Sequence, residues 1–494
     1  MDTMVKTSLK KHVTFNLICQ IINYITPFIL APIVSRTLQA EGVGEYSYGL
    51  SIVYYFGIFI IFGFTDYGTR QISAHRDDKQ RYSIDFWNIL FVRFGFFAVS
   101  TSLYFLLIYN NILPNAVSTK IYYSFIILLI GYSVDISFLF QGLEKFKHLS
   151  LATVFVNIVD MFLVIFLVKN IEDLLTYSLL KSSIKISIAI ILWFFSLKYI
   201  YKPRIIVREL GSIIKNSAIY FLPTLVMTIG PSVDQTMVGA ISSNLEVGYY
   251  QQAHKITSLI CAIAFAMSPI LLSRITYLYE KNEKGLMNDN VSKLMRFSWF
   301  IIVPAVLGTY CIANSFIPLY FGDEYAPVVE VLYFFLPCVF FSGTATFIIN
   351  GYYYPTKKVL KCTLILGICV ILNIITNFLA IRYFGSKGAA LTSSIAGFIE
   401  TLLLMMGSKK EIKYFEIIKK SYKIFLSSLI MLCVLLILNH LFKMTNFTSL
   451  LLITAIDIFI GMLVYLISCT LFQEELLFEL IKSFKFKISK IRSK

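Results

Sequence analysis

The chain has 494 residues, of which 57% are hydrophobic, 16% are aromatic and only 15% are charged. A mean hydropathy of +0.75 excludes a soluble globular protein. Uninterrupted apolar runs of about twenty residues exclude a transmembrane β-barrel, whose strands alternate over about ten residues. The composition predicts an all-α integral membrane protein, and the net charge of +16 makes the positions of its cations informative.

Fourteen stretches are long and apolar enough to be membrane-spanning helices. The first six cover residues 12–38, 46–68, 84–109, 120–141, 148–168 and 176–198. Six more cover 216–241, 252–278, 291–313, 328–353, 359–381 and 388–406, and two follow at 422–441 and 448–471. The first stretch is too long for a secretory signal, so we expect it to be a retained helix.

The cations fall almost entirely on one side of this topology. With the N-terminus in the cytoplasm, 34 of the 44 Lys and Arg residues lie in inner segments and 6 in outer loops, which leaves 4 inside predicted spans. Cytoplasmic loops of membrane proteins hold an excess of Lys and Arg. The pattern therefore predicts that both termini are cytoplasmic, and it explains the net charge without a nucleic-acid partner.

A basic stretch at 200–215 divides the predicted helices into groups. The predicted organisation is an N-terminal lobe of six helices (1–199), a cytoplasmic linker (200–215), a C-terminal lobe of six helices (216–407), two further helices (408–473) and a basic amphipathic tail (474–494). We expect the tail to lie on the anionic inner leaflet.

The two lobes contain an internal repeat. A shift of 204 positions without a gap gives seven identities in 28 positions: Ile25 with Ile229, Pro27 with Pro231, Val34 with Val238, Val43 with Val247, Gly44 with Gly248, Tyr46 with Tyr250 and Ile52 with Ile256. An offset of six spans preserves topology, so the repeat is parallel. Two such lobes predict a central cavity between them and a basis for alternating access.

Three segments of the sequence, in this order, are informative together: APIVSRTLQAEGVGEYSYGLSIVYYFGIFIIFGFTDYGTRQIS at 31–73, DISFLFQGLEKFK at 135–147 and PTLVMTIGPSVDQTMVGAISSNLEVGYYQQAHKI at 223–256. Together they resemble the polysaccharide-repeat-unit flippases, the Wzx-type O-antigen and capsule translocases of the multidrug/oligosaccharidyl-lipid/polysaccharide superfamily. The resemblance covers most of residues 10–410. Two departures are Gln39, where a small glycine is usual, and Phe138, where many relatives carry Trp.

The resemblance implies a substrate and a location. It implies an undecaprenyl-diphosphate-linked oligosaccharide, moved from the cytoplasmic to the outer leaflet of the bacterial cell membrane by an inverted-V pair of lobes. The implied partners are this lipid-linked glycan, membrane lipid and other polysaccharide assembly proteins. No cofactor is implied.

Cations inside the spans are the candidate substrate-binding residues, because a charge in hydrocarbon is costly unless it lines a polar pathway. The candidates inside the spans are Lys181, Lys185, Arg93 and Lys255, and Arg36, which is counted with the outer-loop cations, joins them because it belongs to the SRxL piece of the resemblance. Lys181 and Lys185 stand at i and i+4, so they share one helix face, although such a pair could also extend to the outer interface. Arg93 matches Asp135 in depth, so a structural ion pair is its alternative role, and Lys255 could anchor an interface.

Acids and prolines inside the spans are candidates for coupling and gating. Asp160, Asp234 and Glu400 could relay protons or ions, or could instead pair with a cation. Pro27 and Pro231 occupy equivalent repeat positions and could bend their helices, with or without motion.

Two other classes of function compete with a flippase. A multidrug antiporter of the same superfamily should favour acids in its cavity, whereas the clearest interior pair here is cationic. A membrane glycan polymerase needs a catalytic surface outside the membrane, and the outer loops are short. The sequence has no metal-binding motif, nucleophile elbow or phosphate loop, and its eight cysteines lie in apolar runs without a CxxC pair, so we expect neither an enzyme nor a metal site.

Overall fold

The computed structural model describes residues 2–265, 275–281, 283–441 and 447–479, and every regular element within these ranges is helical. The chain divides into two compact units, Met1–Gly248 and Tyr249–Lys494. The predicted lobe boundary at 200–215 stays a prediction. The predicted tail falls mostly outside the described residues.

The helices of the first unit are α1 (Asp2–Ile61), α2 (Phe64–Ala74), α3 (Lys79–Tyr109), α4 (Thr119–Ser133), α5 (Ser137–Gly142), α6 (Phe146–Leu167), α7 (Leu174–Ser196) and α8 (Val207–Ile241). Helix α9 (Asn244–Phe265) begins in the first unit and ends in the second. The second unit continues with α10 (Lys284–Phe321), α11 (Val328–Ile348, extended by a π-helical turn at Ile349–Tyr353), α12 (Val359–Ser408), α13 (Tyr414–Leu441) and α14 (Phe447–Leu471).

Ten helical segments of the described chain are long and apolar enough to cross a membrane, and an eleventh is added if the bent α8 counts as one span. Helical structure is expected there, because a chain in lipid must satisfy its backbone hydrogen bonds within itself. The predicted number of fourteen spans stays a prediction. Helices α1 and α12 each cover all or most of two predicted stretches, and the stretch 252–278 includes residues outside the described ranges.

Both long helices are broken at a single residue. In α1 the break is at Gln39, with φ 58° and ψ 176°, and in α12 it is at Gly385, with φ 57° and ψ −135°. Glycine reaches such positive φ values freely, whereas a side chain makes them costly. This sequence therefore has a glutamine, where glycine is usual, at a position whose backbone conformation favours glycine.

A bend of 52° divides α8 into 207–226 and 228–241. The break at residue 227 lies four positions before Pro231. A proline ring inside a helix clashes with the carbonyl of residue i−4 and removes one hydrogen bond, so this is where Pro231 should bend α8.

The segment between α7 and α8 is attached to the start of α3. Arg81 donates two hydrogen bonds to the Glu209 carboxylate, at 2.9 and 3.2 Å. The Asn88 side chain donates to the same carboxylate at 3.1 Å and accepts from the backbone N–H of Ile206 at 2.9 Å. These bonds fix the direction in which α8 leaves the predicted linker.

In the second unit, α10 packs against α11, α13 and α14. Pro304 in α10 cannot donate to the carbonyl of Phe300, and that carbonyl instead accepts a 2.9 Å hydrogen bond from the Tyr465 hydroxyl of α14. Eight residues before Pro304, Arg296 of α10 forms a 2.6 Å ion pair with Glu474, which follows the end of α14. The Glu474 side chain is fully buried.

Candidate functional site

The first unit contains a buried ion pair between two transmembrane helices. The Lys181 ammonium of α7 donates to Oδ2 of Asp160 in α6 at 2.5 Å. The two side chains are 18% and 7% exposed. Oδ1 of Asp160 has no hydrogen-bond partner among the described residues. The pair places one of the predicted cations against one of the predicted acids.

Lys185 lies one helical turn beyond Lys181, on the side of α7 that meets α4. Its ammonium is 5.0 Å from the ring centroid of Tyr132. Within the described chain no carboxylate lies at ion-pair distance from it. Gly131 makes this approach possible, because a β-carbon there would lie 2.7 Å from Cβ of Lys185. Among the described residues, therefore, no acidic side chain is paired with the Lys185 ammonium.

Polar and aromatic side chains extend this arrangement along α6 and α7. Tyr177 lies one turn before Lys181, with its ring 5.5 Å from the Lys181 ammonium and edge-on to the ring of Tyr46 at 4.9 Å. On α6, Asn157 donates a 3.0 Å hydrogen bond to Asn23 of α1. We name Asp160, Lys181 and Lys185 with these neighbours the lysine cluster.

The aromatic and amide members of the lysine cluster were not among the predicted site residues. Tyr177, Lys181 and Lys185 recur every four residues, and that spacing places them on one face of α7. Asn157 and Asp160 likewise lie three residues apart on α6. The sequence signal for Tyr177 and Asn157 is therefore their position one helical turn before Lys181 and Asp160, respectively.

Arg93 is buried, with 1% of its surface exposed. Its guanidinium donates to the main-chain carbonyl of Asp135 and, at 3.3 Å, to the hydroxyl of Thr65. The Asp135 carboxylate itself accepts from the backbone N–H of Ser137 at 2.8 Å. The ring of Phe138 lies 5.3 Å from the guanidinium carbon. Arg93 thus joins α3, α2 and the start of α5, and it contacts a carbonyl where an ion pair was the predicted alternative.

The remaining predicted cations lie outside the lysine cluster. Arg36 is exposed on α1, three residues before the break at Gln39. Lys255 is partly buried on α9 beside His254, whose ring lies 5.8 Å from that of Phe335. Their roles as ligands stay predictions.

The other predicted acids and prolines are distributed over both units. Asp234 of α8 is 5% exposed and near Tyr55, whose hydroxyl donates to Thr236 at 2.8 Å. Glu400 of α12 is partly buried near Cys362 and Cys369. Pro27 is exposed within the first half of α1, and Pro231 is exposed just beyond the bend of α8. Their roles in coupling and gating stay predictions.

The chain resembles known membrane proteins over most of its length. "Putative O-antigen transporter" of Escherichia coli K12 is 23% identical over 413 residues, which is 81% of this chain and 97% of that protein. "Lipid II flippase MurJ" of Thermosipho africanus is 27% identical over 221 residues, which is 43% of this chain and 42% of that protein.

Two solved structures share the fold. The structure of "Lipid II flippase MurJ, inward closed conformation" superposes with a TM-score of 0.71 at 22% identity, covering 95% of this chain and 99% of that one. An inward-facing multidrug resistance MATE family transporter of the MOP superfamily gives a TM-score of 0.60 at 11% identity, with 80% and 98% covered. The predicted all-helical membrane fold is confirmed.

The family described as "Polysaccharide biosynthesis protein" matches residues 9–271, which is more than half of the chain and includes the whole lysine cluster. The predicted family is confirmed with it. This multi-span membrane protein belongs to the polysaccharide biosynthesis protein family.

Proposed function

We propose that this protein is a flippase for lipid-linked glycans, and specifically that it moves undecaprenyl-diphosphate-linked repeat units from the cytoplasmic to the outer leaflet for O-antigen or capsule assembly. Its family and its similarity to proteins named as an O-antigen transporter and as lipid II flippases support the general function. We place it in the bacterial inner membrane with both termini in the cytoplasm, as the charge asymmetry of the loops predicts.

The lysine cluster is the observation that carries this proposal. A diphosphate headgroup must pass hydrocarbon, and cations held inside the protein replace the water that would otherwise stabilise it. Lys185 supplies a charge without an acidic partner in the described part of the chain, and Lys181 supplies a second charge one turn away. Tyr177 and the Asn23–Asn157 pair add hydrogen-bonding and stacking groups suited to a sugar next to the phosphates.

Transport by this site requires that it face the two sides of the membrane in turn. We propose that it does so by alternating access, with the bend before Pro231 as one point of adjustment and Pro27 as its repeat counterpart. Asp234 and Glu400 are the proposed coupling residues, because carboxylates inside a membrane protein mark ion pathways. Arg36 and Lys255 are proposed as further contacts for the headgroup.

The alternative of a multidrug antiporter requires an acidic site for cationic drugs. Asp160 is the acid nearest to the lysine cluster, and Lys181 already neutralises it at 2.5 Å. With two lysines and one aspartate the cluster has an excess of positive charge. An anionic substrate fits this excess, and a cationic drug does not. A glycan polymerase would need catalytic groups that the cluster lacks.

Replacement of Lys181 and Lys185 together by Ala tests the proposal. We expect export of the surface glycan to fall by at least tenfold while the protein remains in the membrane, and the undecaprenyl-diphosphate-linked repeat unit to accumulate inside the cell. The matched control is Lys145→Ala with Lys147→Ala, which removes two exposed lysines from the same unit. Normal export in the first variant, or an equal loss in the control, would refute a cationic binding site.

A further inference from the structure

One carboxylate oxygen of the lysine cluster is buried and has no partner. Oδ2 of Asp160 accepts from Lys181 at 2.5 Å, whereas Oδ1 has no hydrogen-bond partner in the described part of the chain. Only 7% of the side chain is exposed, so water has little access to Oδ1. A buried acceptor of this kind is costly to leave unpaired. Oδ1 is therefore an atom at which the cluster can bind a proton without first breaking the bond to Lys181.

The charges of the lysine cluster do not balance those of the proposed substrate. Lys181 and Lys185 each carry one positive charge and Asp160 carries one negative charge, so their sum is a single positive charge. A diphosphate esterified at both ends, as in a lipid-linked sugar, carries two negative charges. If Asp160 stayed ionised, the complex would hold one uncompensated negative charge inside the protein, where a low dielectric makes it costly. A proton on Asp160 removes that excess.

We propose that Asp160 takes up one proton when the diphosphate binds, so that substrate binding is coupled to protonation of the lysine cluster. The inference rests on the proposed function, because it concerns the same site. The proton comes from water at the open side of the site and forms an O–H bond at Oδ1, and no other covalent bond of the protein changes. Asp160 becomes a neutral acid whose O–H donates to a phosphoryl oxygen, while Lys181 keeps its charge and becomes available to the substrate.

The neighbouring groups leave Asp160 as the acceptor of this proton. Helix α6 packs against α1, α5 and α7, and α5 has no titratable side chain. In the described chain, the other titratable side chains near Asp160 or its lysines are the phenols of Tyr46, Tyr132 and Tyr177. A phenol and an ammonium already carry their protons at neutral pH, so neither accepts another. His148 of α6 lies about three turns away, against the ring of Phe195.

A proton that is bound only in the complex gives the affinity a pH dependence of definite sign. The complex holds one proton more than the separate protein and ligand, so binding strengthens as the pH falls and weakens as it rises. With one proton linked to each ligand, Kd rises by at most about tenfold for each pH unit. Asp160→Asn keeps this side chain neutral at every pH. The variant should therefore lose the pH dependence and bind the diphosphate more tightly than the wild type in the alkaline range.

Calorimetric titration counts the proton directly. Purified protein in nanodiscs of phosphatidylcholine is titrated with farnesyl diphosphate esterified to N-acetylglucosamine, a probe whose charge does not change near neutral pH. The titration is repeated in MOPS and in Tris, because the two buffers differ in their enthalpy of protonation and the difference in apparent binding enthalpy gives the number of protons taken up. We expect about one proton per ligand for the wild type and none for Asp160→Asn. A residue with only a structural role would change the affinity and leave the proton count unchanged.

Glu172→Gln is the matched control, because it removes one negative charge from an exposed site of the same unit. We expect it to keep the wild-type proton count. Asp160→Ser should lose the proton as Asp160→Asn does, and it serves where the latter does not fold. Binding without proton uptake in the wild type, or uptake that persists in the Asp160 variants, overturns the inference alone. If the probe still binds after double replacement of Lys181 and Lys185 by Ala, the proposed site and this inference both fail.

Discussion

Gly44 and Gly248 each lie against the backbone of the other's helix, in two contacts that are reciprocal. A β-carbon at Gly44 would lie 1.7 Å from the carbonyl oxygen of Asn244, and one at Gly248 would lie 2.1 Å from the carbonyl oxygen of Ala40. The internal shift of 204 positions converts Ala40 into Asn244 and Gly44 into Gly248. The second half of α1 and the start of α9 therefore meet through equivalent residues, as elements do across a local twofold axis.

Replacing Gly44 by Ala should push α1 and α9 apart at this contact. The added methyl group has no space, because the obstacle is backbone and cannot rotate away, so we expect the protein to be destabilised by about 1–3 kcal/mol. The measurement is thermal unfolding in detergent. Gly95→Ala is the control, since a β-carbon at Gly95 of α3 meets nothing within 4 Å. If both variants melt together with the wild type, the close contact at Gly44 is absent in solution.

Replacing Gln39 by Gly should stabilise the protein. Gln39 holds φ 58° and ψ 176°, a region essentially restricted to glycine, and strain of this kind costs about 1–3 kcal/mol. Glycine loses part of that gain through the greater freedom of the unfolded chain, so we expect a net gain of about 1 kcal/mol. Thermal unfolding again measures the change. Glu41→Gly, within the helix that follows, should destabilise by about 1 kcal/mol, and a stabilising Glu41→Gly would contradict the backbone argument.

The sequence predicted the composition of the lysine cluster better than its pairing. The i, i+4 spacing placed Lys181 and Lys185 on one face, and Asp160 was predicted as a coupling acid or as the partner of a cation, without naming which cation. The partner of Asp160 could have been identified by counting residues from the turn that joins α6 to α7. Asp160 lies seven residues before the end of α6 at Leu167, and Lys181 lies seven residues after the start of α7 at Leu174. Antiparallel neighbours bring such residues to one depth, so the pair could have been predicted.

Arg93 marks the limit of the same reasoning. Its depth matched that of Asp135, and the two residues do meet, yet the guanidinium donates to the main-chain carbonyl of Asp135, while the carboxylate accepts the N–H of Ser137. The helix ends between α4 and α5 leave that carbonyl available. Sequence spacing reports depth in the membrane, whereas the choice between a carbonyl and a carboxylate depends on local backbone geometry that the spacing does not contain.

At the Asp160–Lys181 pair, a second replacement should reverse most of the loss of stability that the first one causes. Lys181→Ala leaves a carboxylate that is 7% exposed without its cation, and we expect a loss of about 3 kcal/mol. Lys181→Ala combined with Asp160→Asn removes the uncompensated charge and should restore most of that loss, without restoring glycan export. Thermal unfolding and export assays on the four proteins of this cycle measure both effects. Additive destabilisation in the double variant would mean that the two residues are not coupled.

Glu474 and Glu475 both contact Arg296, but their burial predicts very different effects. Glu474 is fully buried and pairs at 2.6 Å, so Glu474→Gln should destabilise the second unit by about 3 kcal/mol. The Glu475 side chain is 74% exposed at 3.1 Å, and Glu475→Gln should cost less than about 1 kcal/mol. The adjacent position is thus the matched control, and equal losses in thermal unfolding would contradict the assignment of burial.

The contribution of Glu475 to the stability of the protein should also depend on pH. Its hydrogen bond from Arg296, strengthened by the charge of that residue, holds the pKa of the Glu475 carboxyl below its usual range. A carboxyl with a lowered folded-state pKa contributes stability above its unfolded-state pKa and loses that contribution as the pH falls through the folded-state value. The melting temperatures of wild type and Glu475→Gln should therefore differ slightly at neutral pH and converge on acidification below the ordinary range of a glutamate. A difference that grows in acid would mean that Arg296 does not stabilise the ionised form.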